Sequence, residues 1–124
     1  MIEHLSIIGA CLTAALGIMG LFAPTTAARF IGLSPDEQDA GLVGKSELRA
    51  TYGGFFCGLG IALLYFASDT AYVIAGIAWL SAAAGRMLSL FLDLSRSAKN
   101  IGGVLFEALI GACSVSPSLV GVSQ

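Results

Sequence analysis

The sequence predicts an all-α fold: an integral membrane four-helix bundle with up-down topology and a short surface helix between spans one and two. Its 124 residues are 56% hydrophobic and only 11% charged, with a mean hydropathy of +0.88. An ordinary soluble domain has roughly 25% charged residues. The chain contains four apolar runs, each long enough to cross the roughly 30 Å of hydrocarbon in a bilayer. At this length we expect a single transmembrane domain, residues 1–124.

The four apolar runs predict spans that are joined by short connections. Pro24 follows the first run and ends its helix, because proline cannot continue the backbone hydrogen-bond ladder. Asp69 begins a tight turn after the second run, and Pro117 with neighbouring polar residues closes the fourth. The predicted spans are about 5–23, 47–68, 71–93 and 100–119.

The connection between spans one and two contains a helix-start pattern. Ser34 is a favourable N-cap, Pro35 suits the first helical position, and acidic residues follow in the first turn at Asp36 and Glu37. We therefore expect the short surface helix here, as a capped connector rather than as a docking element.

Lysine and arginine in the connections predict the orientation of the bundle. They occur in the first and third connections and are absent from the second connection and from both termini. The four residues are Arg29, Lys45, Arg96 and Lys99. Because cytoplasmic loops of membrane proteins are enriched in these residues, we expect both termini on the periplasmic side.

Two charged residues lie inside the apolar runs of spans three and four. Arg86 and Glu107 are each seven residues from the connection between these spans, so antiparallel helices would hold them at a common depth of about 10 Å. A lone charge at such depth is costly, and pairing lowers the cost. Asp93 shares a helical face with Arg86. The simplest arrangement is Arg86 forked between Glu107 and Asp93, because a guanidinium can bind two carboxylates.

Span two contributes polar residues at the same end of the bundle. Arg49 either pairs with Glu47 or faces lipid phosphates, and Tyr52 lies one turn deeper. The predicted ion-pair cluster consists of Glu47, Arg49, Arg86, Asp93 and Glu107. We favour a clamp that fixes helix register. The alternative is a small polar pocket open to the cytoplasmic leaflet and lined by Arg49, Tyr52, Arg86 and Glu107.

The sequence offers little material for catalysis, cofactors or metal ions. Its single histidine is His4, and Cys11, Cys57 and Cys113 lie in separate apolar runs without ligand spacing. No Ser/His/Asp set or phosphate-binding loop can be assembled. We therefore expect no cofactor and no metal site, and lean against an enzyme. The net charge of −2 gives no indication of nucleic-acid binding.

Small residues recur at four-residue intervals in all four spans. Such stripes allow membrane helices to approach closely. The stripes include Gly9, Thr13, Gly17, Gly54, Gly58, Ser81, Gly85, Ser89, Gly103 and Gly111. We favour packing within one chain over a homo-oligomeric contact.

Three segments form a recognisable pattern: ELRATYGGFFCGLGIALL from Glu47 to Leu64, GRMLSLFLD from Gly85 to Asp93, and the apolar run that contains Glu107. Together they resemble a family of small bacterial four-helix membrane proteins, domain of unknown function 4345. The resemblance covers nearly the whole chain. It implies a bacterial inner-membrane bundle and, more distantly, a similarity to DoxX-like membrane proteins, some of which are subunits of redox complexes. It implies no established activity.

One connection departs from the pattern of that family. The segment after the aspartate usually contains glycine, whereas this chain has Leu94 and Ser95.

We expect a polytopic protein that acts as an accessory or interaction subunit of a membrane complex, with a homo-oligomer as one possible assembly. The alternative is a binding module for a small amphipathic ligand, such as a quinone or a lipid. In that case Arg86 or Arg49 would hold an oxygen, Tyr52 would donate a hydrogen bond, and apolar residues such as Phe56 and Leu90 would cover the rest. A redox enzyme subunit is a third hypothesis and rests on the DoxX resemblance alone.

Overall fold

A computed structural model describes residues 2–33, 39–94 and 96–121 of the chain. These residues form helices and no strand, which confirms the all-α fold class. Four helices in these ranges are long and apolar enough to cross a membrane. They span His4–Phe22, Val43–Phe66, Asp69–Leu92 and Ala98–Ser116.

Seven helical elements make up this part of the chain: α1 (Ile2–Phe22), α2 (Pro24–Ile31), α3 (Asp39–Glu47), a π-helical segment (Leu48–Phe55), α4 (Phe56–Phe66), α5 (Asp69–Leu92) and α6 (Ala98–Gly121). The third, fourth and fifth elements follow one another without a break and form span two. The connections after α1 and after α5 lie at one end of the bundle. We call this the charged end, because its lysines and arginines include Arg29 and Lys99.

Helix contacts place α1 at the centre of the bundle. α1 packs against the π segment and α4 on one side and against α6 on another, while α5 packs mainly against α6. α4 and α5 meet near the turn that joins them. The buried apolar cluster there consists of Ala10, Leu63, Tyr72 and Ala75. The π segment and α5 make little contact, so spans two and three separate toward the charged end.

Glycines allow α1 and span two to pack backbone against backbone. A Cβ atom at Gly17 would overlap the backbone of Cys57, and one at Gly60 would lie 2.5 Å from the backbone nitrogen of Ala14. Other glycines of the small-residue stripes have no such neighbour: a Cβ atom at Gly58 or Gly85 meets nothing within 4 Å. Only part of the stripes therefore serves packing within one chain.

A short helix follows α1 directly. α1 ends at Phe22, and Pro24 occupies the start of α2, where its missing N–H is not needed. α2 ends at Ile31, and the next residue, Gly32, has a φ of +85°, in the left-handed region that glycine adopts without strain. The sequence pattern did not predict this helix. The predicted helix start at Ser34 lies outside the described residues.

The π segment interrupts span two near the charged end. Its sequence LRATYGGF contains Gly53, where a Cβ atom would lie 2.8 Å from the backbone nitrogen of Leu21. The wider π-helical turn therefore lies directly against the C-terminal part of α1. Short π-helical stretches inside α-helices occur frequently at functional sites.

Candidate functional site

An ion pair joins α5 to α6. The Nε atom of Arg86 lies 2.7 Å from Oε1 of Glu107. The side chains are 24% and 11% exposed, respectively. A charge-assisted hydrogen bond of this length is stronger than a neutral one. The pair expected from the equal depth of the two residues is thus present.

The surface of α6 positions the Arg86 guanidinium. A Cβ atom at Gly103, one turn before Glu107, would lie 3.1 Å from Cζ of Arg86. The absence of a side chain at Gly103 therefore gives the guanidinium room to lie against the α6 backbone. Nη1 of Arg86 also donates to Oδ1 of Asn100 at 3.4 Å, another turn along the helix.

The predicted fork from Arg86 to Asp93 is not formed. Asp93 is exposed and follows the last residue of α5, about two turns beyond Arg86. The Arg86 side chain turns instead across to α6. Glu47 accepts a hydrogen bond from Thr51 on its own helix, and in the described part of the chain no ion pair joins Glu47 or Asp93 to an arginine.

Arg49 stabilises the end of α1. It is exposed, and its Nη1 donates to the backbone carbonyl of Leu21. Carbonyls in the last turn of a helix lack intrahelical partners. Arg49 does not line the cavity described below. Arg49 therefore caps the end of α1 and does not pair with Glu47.

A partly open cavity of about 650 Å³ lies at the charged end of the bundle. All four spans and α2 contribute to its lining. Its walls are mainly apolar and include Leu16 and Met19 of α1, Phe30 of α2, and Phe106 of α6. The rings of Phe30 and Phe106 form an edge contact with centroids 6.5 Å apart, so α2 is held against α6 on one side of the cavity.

Three aromatic rings connect span two to α5 at the inner part of the cavity. The rings of Tyr52 and Phe56 are 5.6 Å apart, and those of Phe56 and Trp79 are 5.0 Å apart. The buried Trp79 indole donates to Oγ1 of Thr13 at 3.1 Å, which fixes the ring against α1. Sequence reasoning did not assign Trp79 to the site. Its position seven residues before Arg86, on the same face of α5, is the signal that would have indicated it.

Polar groups also line the cavity. Arg86, Glu107, Tyr52 and Lys99 all belong to the lining. Nζ of Lys99 donates to the backbone carbonyl of Arg29 at 3.4 Å, which links α6 to α2. Oε2 of Glu107 is buried and has no hydrogen-bond partner among the described residues. A buried acceptor without a partner is costly, so a hydrogen bond donated to this oxygen would be stabilising.

The structure thus brings together three of the four residues predicted to bind a ligand. Tyr52, Arg86 and Glu107 line one cavity, and Arg49 lies outside it. Ligand binding by these residues stays a prediction. The lining residues that α2 contributes were not foreseen, because the helix itself was not.

The cysteines do not form disulfides. Cys11, Cys57 and Cys113 are all free. Across the ranges that the structure describes, no three histidine, cysteine, aspartate or glutamate side chains are grouped as metal ligands would be.

Four membrane-crossing helices that enclose a partly open cavity define a multi-pass helical membrane protein. The sequence model of a protein family described as a domain of unknown function, DUF4345, matches residues 2–116, and the chain belongs to this family. No curated protein and no solved structure is significantly similar to the chain. The resemblance noted from the motifs is thus confirmed. The more distant DoxX likeness is not shown by these comparisons.

Proposed function

We propose that this protein binds a small amphipathic molecule in the cavity at the charged end of the bundle. The observation that supports this most strongly is a mainly apolar cavity whose lining includes the Arg86–Glu107 pair, with the buried Oε2 of Glu107 left unpartnered among the described residues. A pure register clamp would be expected to pair both carboxylate oxygens and to leave no adjoining cavity. The Arg86–Glu107 pair then has two roles, joining α5 to α6 and presenting a polar group to the ligand.

The size and the lining of the cavity favour a ligand with an apolar body. Its volume of about 650 Å³ lies within the range of roughly 300–1,000 Å³ that is typical of small-molecule sites. Leu16, Met19 and Phe106 provide apolar contact surface, and Tyr52 adds a ring with a hydroxyl tip. Such a lining suits a molecule with one polar end and a longer hydrocarbon part.

The separation of the π segment from α5 suggests how the ligand enters. Because these two elements make little contact, the cavity lies beside a gap between two membrane spans. An amphipathic molecule dissolved in the bilayer can reach this gap laterally. In this proposal the charged end lies at the cytoplasmic face of a bacterial inner membrane and both termini lie in the periplasm. The lysines and arginines at the charged end support this orientation.

The single tryptophan of the chain offers a direct test. Trp79 lines the cavity, so a bound molecule with a bromine atom on its chain should quench its fluorescence. We expect saturable quenching of the protein in detergent micelles by a long-chain bromoalkanol. A linear concentration dependence without saturation would mean that the probe only dissolves in the micelle, and would contradict the proposal.

Two matched glycine variants control this experiment. Gly102 lines the cavity and Gly58 does not, and a Cβ atom at either position meets nothing within 4 Å. Gly102→Leu should therefore occupy cavity space without a backbone clash and weaken binding about tenfold or more, a change of about 1.4 kcal/mol. Gly58→Leu should bind like the wild type. Equal affinity in all three proteins would place the probe elsewhere.

An accessory or interaction subunit of a membrane complex is the second candidate function. It is favoured by Gly58 and Gly85, which face open space in the single chain and so offer close approach to a helix of another subunit or of a second copy. Purification in mild detergent followed by measurement of the mass of the protein–detergent particle tests it. A strictly monomeric particle without partners would count against this role.

A further inference from the structure

The two oxygens of the Glu107 carboxylate have different surroundings. Oε1 lies 2.7 Å from Nε of Arg86, and Oε2 is buried without a partner among residues 2–33, 39–94 and 96–121. Glu107 as a whole is 9% exposed and lines the cavity. The ion pair therefore satisfies one oxygen of the carboxylate, and the buried second oxygen still lacks a hydrogen-bond donor.

We propose that the polar end of the bound molecule is an uncharged hydrogen-bond donor, a hydroxyl group or an amide N–H, which donates to Oε2 of Glu107. This inference rests on the proposed function and specifies its ligand class. An ionised carboxylate only accepts hydrogen bonds. A head group with acceptors alone, such as a ketone, a quinone carbonyl, an ether or a phosphate dianion, would meet Oε2 with lone pairs against lone pairs.

The charges around the site favour a neutral donor over a cation. Arg86 already balances the negative charge of Glu107 at 2.7 Å. An ammonium group bound at Oε2 would lie beside the Arg86 guanidinium, and like charges in a partly buried site repel each other. A hydroxyl group adds no charge. It also retains lone pairs that can accept a hydrogen bond from the Tyr52 hydroxyl, which belongs to the same cavity lining.

A pair of probes that differ only at the polar end tests this inference. The long-chain bromoalkanol can donate to Oε2, whereas its methyl ether has the same chain and no donor. Quenching of Trp79 fluorescence gives the affinity of each. We expect the alkanol to bind about tenfold more tightly or better, since a hydrogen bond to a charged acceptor stabilises more than one between neutral groups. Binding of the ether with equal affinity would overturn the donor assignment and leave the proposed function intact.

Glu107→Gln provides a second comparison. With its carbonyl oxygen facing Arg86, glutamine presents an NH₂ donor where Oε2 was. The alkanol and the ether should then bind with similar affinities, because both can accept from this group. Glu47→Gln is the matched control, since Glu47 is exposed and lies outside the cavity, and it should keep the wild-type preference. Absence of saturable quenching by either probe in the wild type would contradict the proposed function itself, and this inference with it.

Discussion

Arg86 and Glu107 connect α5 to α6 through a single contact of 2.7 Å between Nε and Oε1. The arginine side chain is the more exposed of the two, at 24% against 11%. The glutamate therefore depends more on its partner than the arginine does, because a long arginine side chain can turn toward the charged end of the bundle. This asymmetry makes the two halves of the pair experimentally distinguishable.

We predict that Arg86→Leu destabilises the bundle more than Glu107→Leu. Removing either partner leaves the other charge unpaired, at a cost of roughly 3–5 kcal/mol for a fully buried pair. The cost is larger when the less exposed Glu107 is the residue left unpaired. The double variant should recover much of the loss, because no charge is left unpaired. Titration of the folded protein with a denaturing detergent, followed by circular dichroism, measures the free energy of unfolding. Strictly additive losses in the double variant would show that the pair is not coupled.

We predict that Arg49 and Arg86 behave differently although both are arginines of the family motif. Arg49→Leu removes the hydrogen bond to the Leu21 carbonyl and should lower the free energy of unfolding by about 1 kcal/mol. Because Arg49 does not line the cavity, the affinity for the bromoalkanol should stay within about twofold of wild type. A tenfold loss of affinity in folded Arg49→Leu protein would place this residue at the ligand instead.

Close packing of α1 on span two gives a third prediction. Gly17→Ala places a Cβ atom on the backbone of Cys57, so the helices must move apart and the variant should lose about 2 kcal/mol or more. Gly58→Ala, in the same pair of spans, meets open space and should be neutral or gain up to about 1 kcal/mol from helix propensity. Thermal unfolding of both variants in the same detergent compares their stabilities directly. Equal stability of the two would argue against the tight α1 contact.

A fourth prediction concerns the connection after α5. Leu94 has a φ of +52°, in the left-handed region that costs a side chain about 1–2 kcal/mol. Leu94→Gly should therefore stabilise the protein by about 1 kcal/mol. Leu88→Gly, inside α5 and similarly exposed at 57% against 68%, should instead destabilise it by a similar amount. If both glycine variants lose stability, the left-handed conformation is not a source of strain.

The apolar runs predicted the all-α membrane fold because span length and composition depend on the bilayer and not on details of packing. The Arg86–Glu107 pair was predictable for a similar reason, since depth follows from counting residues along straight helices. Asp93 was favoured as a second partner because it shares a helical face with Arg86. In the structure the Arg86 side chain extends to α6 instead, where Oδ1 of Asn100 lies 3.4 Å from its Nη1.

Other features lack a signature in the sequence. The π segment mixes polar and apolar residues as many α-helices do, so nothing in the hydrophobic pattern marks its i→i+5 hydrogen bonds. The partner of Arg49 is the backbone carbonyl of Leu21, a group that every residue presents. Pro24 correctly indicated the end of α1. A proline also suits the first position of a helix, and only the structure shows that Pro24 begins α2. Of these features, the π segment contributes Tyr52 to the cavity lining and α2 contributes Phe30.

Native mass spectrometry of the protein purified from its own membranes tests the central claim most directly. The account predicts that wild-type protein and Gly58→Leu retain a bound small molecule of the same mass. Gly102→Leu, whose new side chain lies at the cavity wall, should lose it. Retention of the same molecule by Gly102→Leu, or the absence of any bound molecule from wild-type protein, would contradict a ligand site at the Arg86–Glu107 pair.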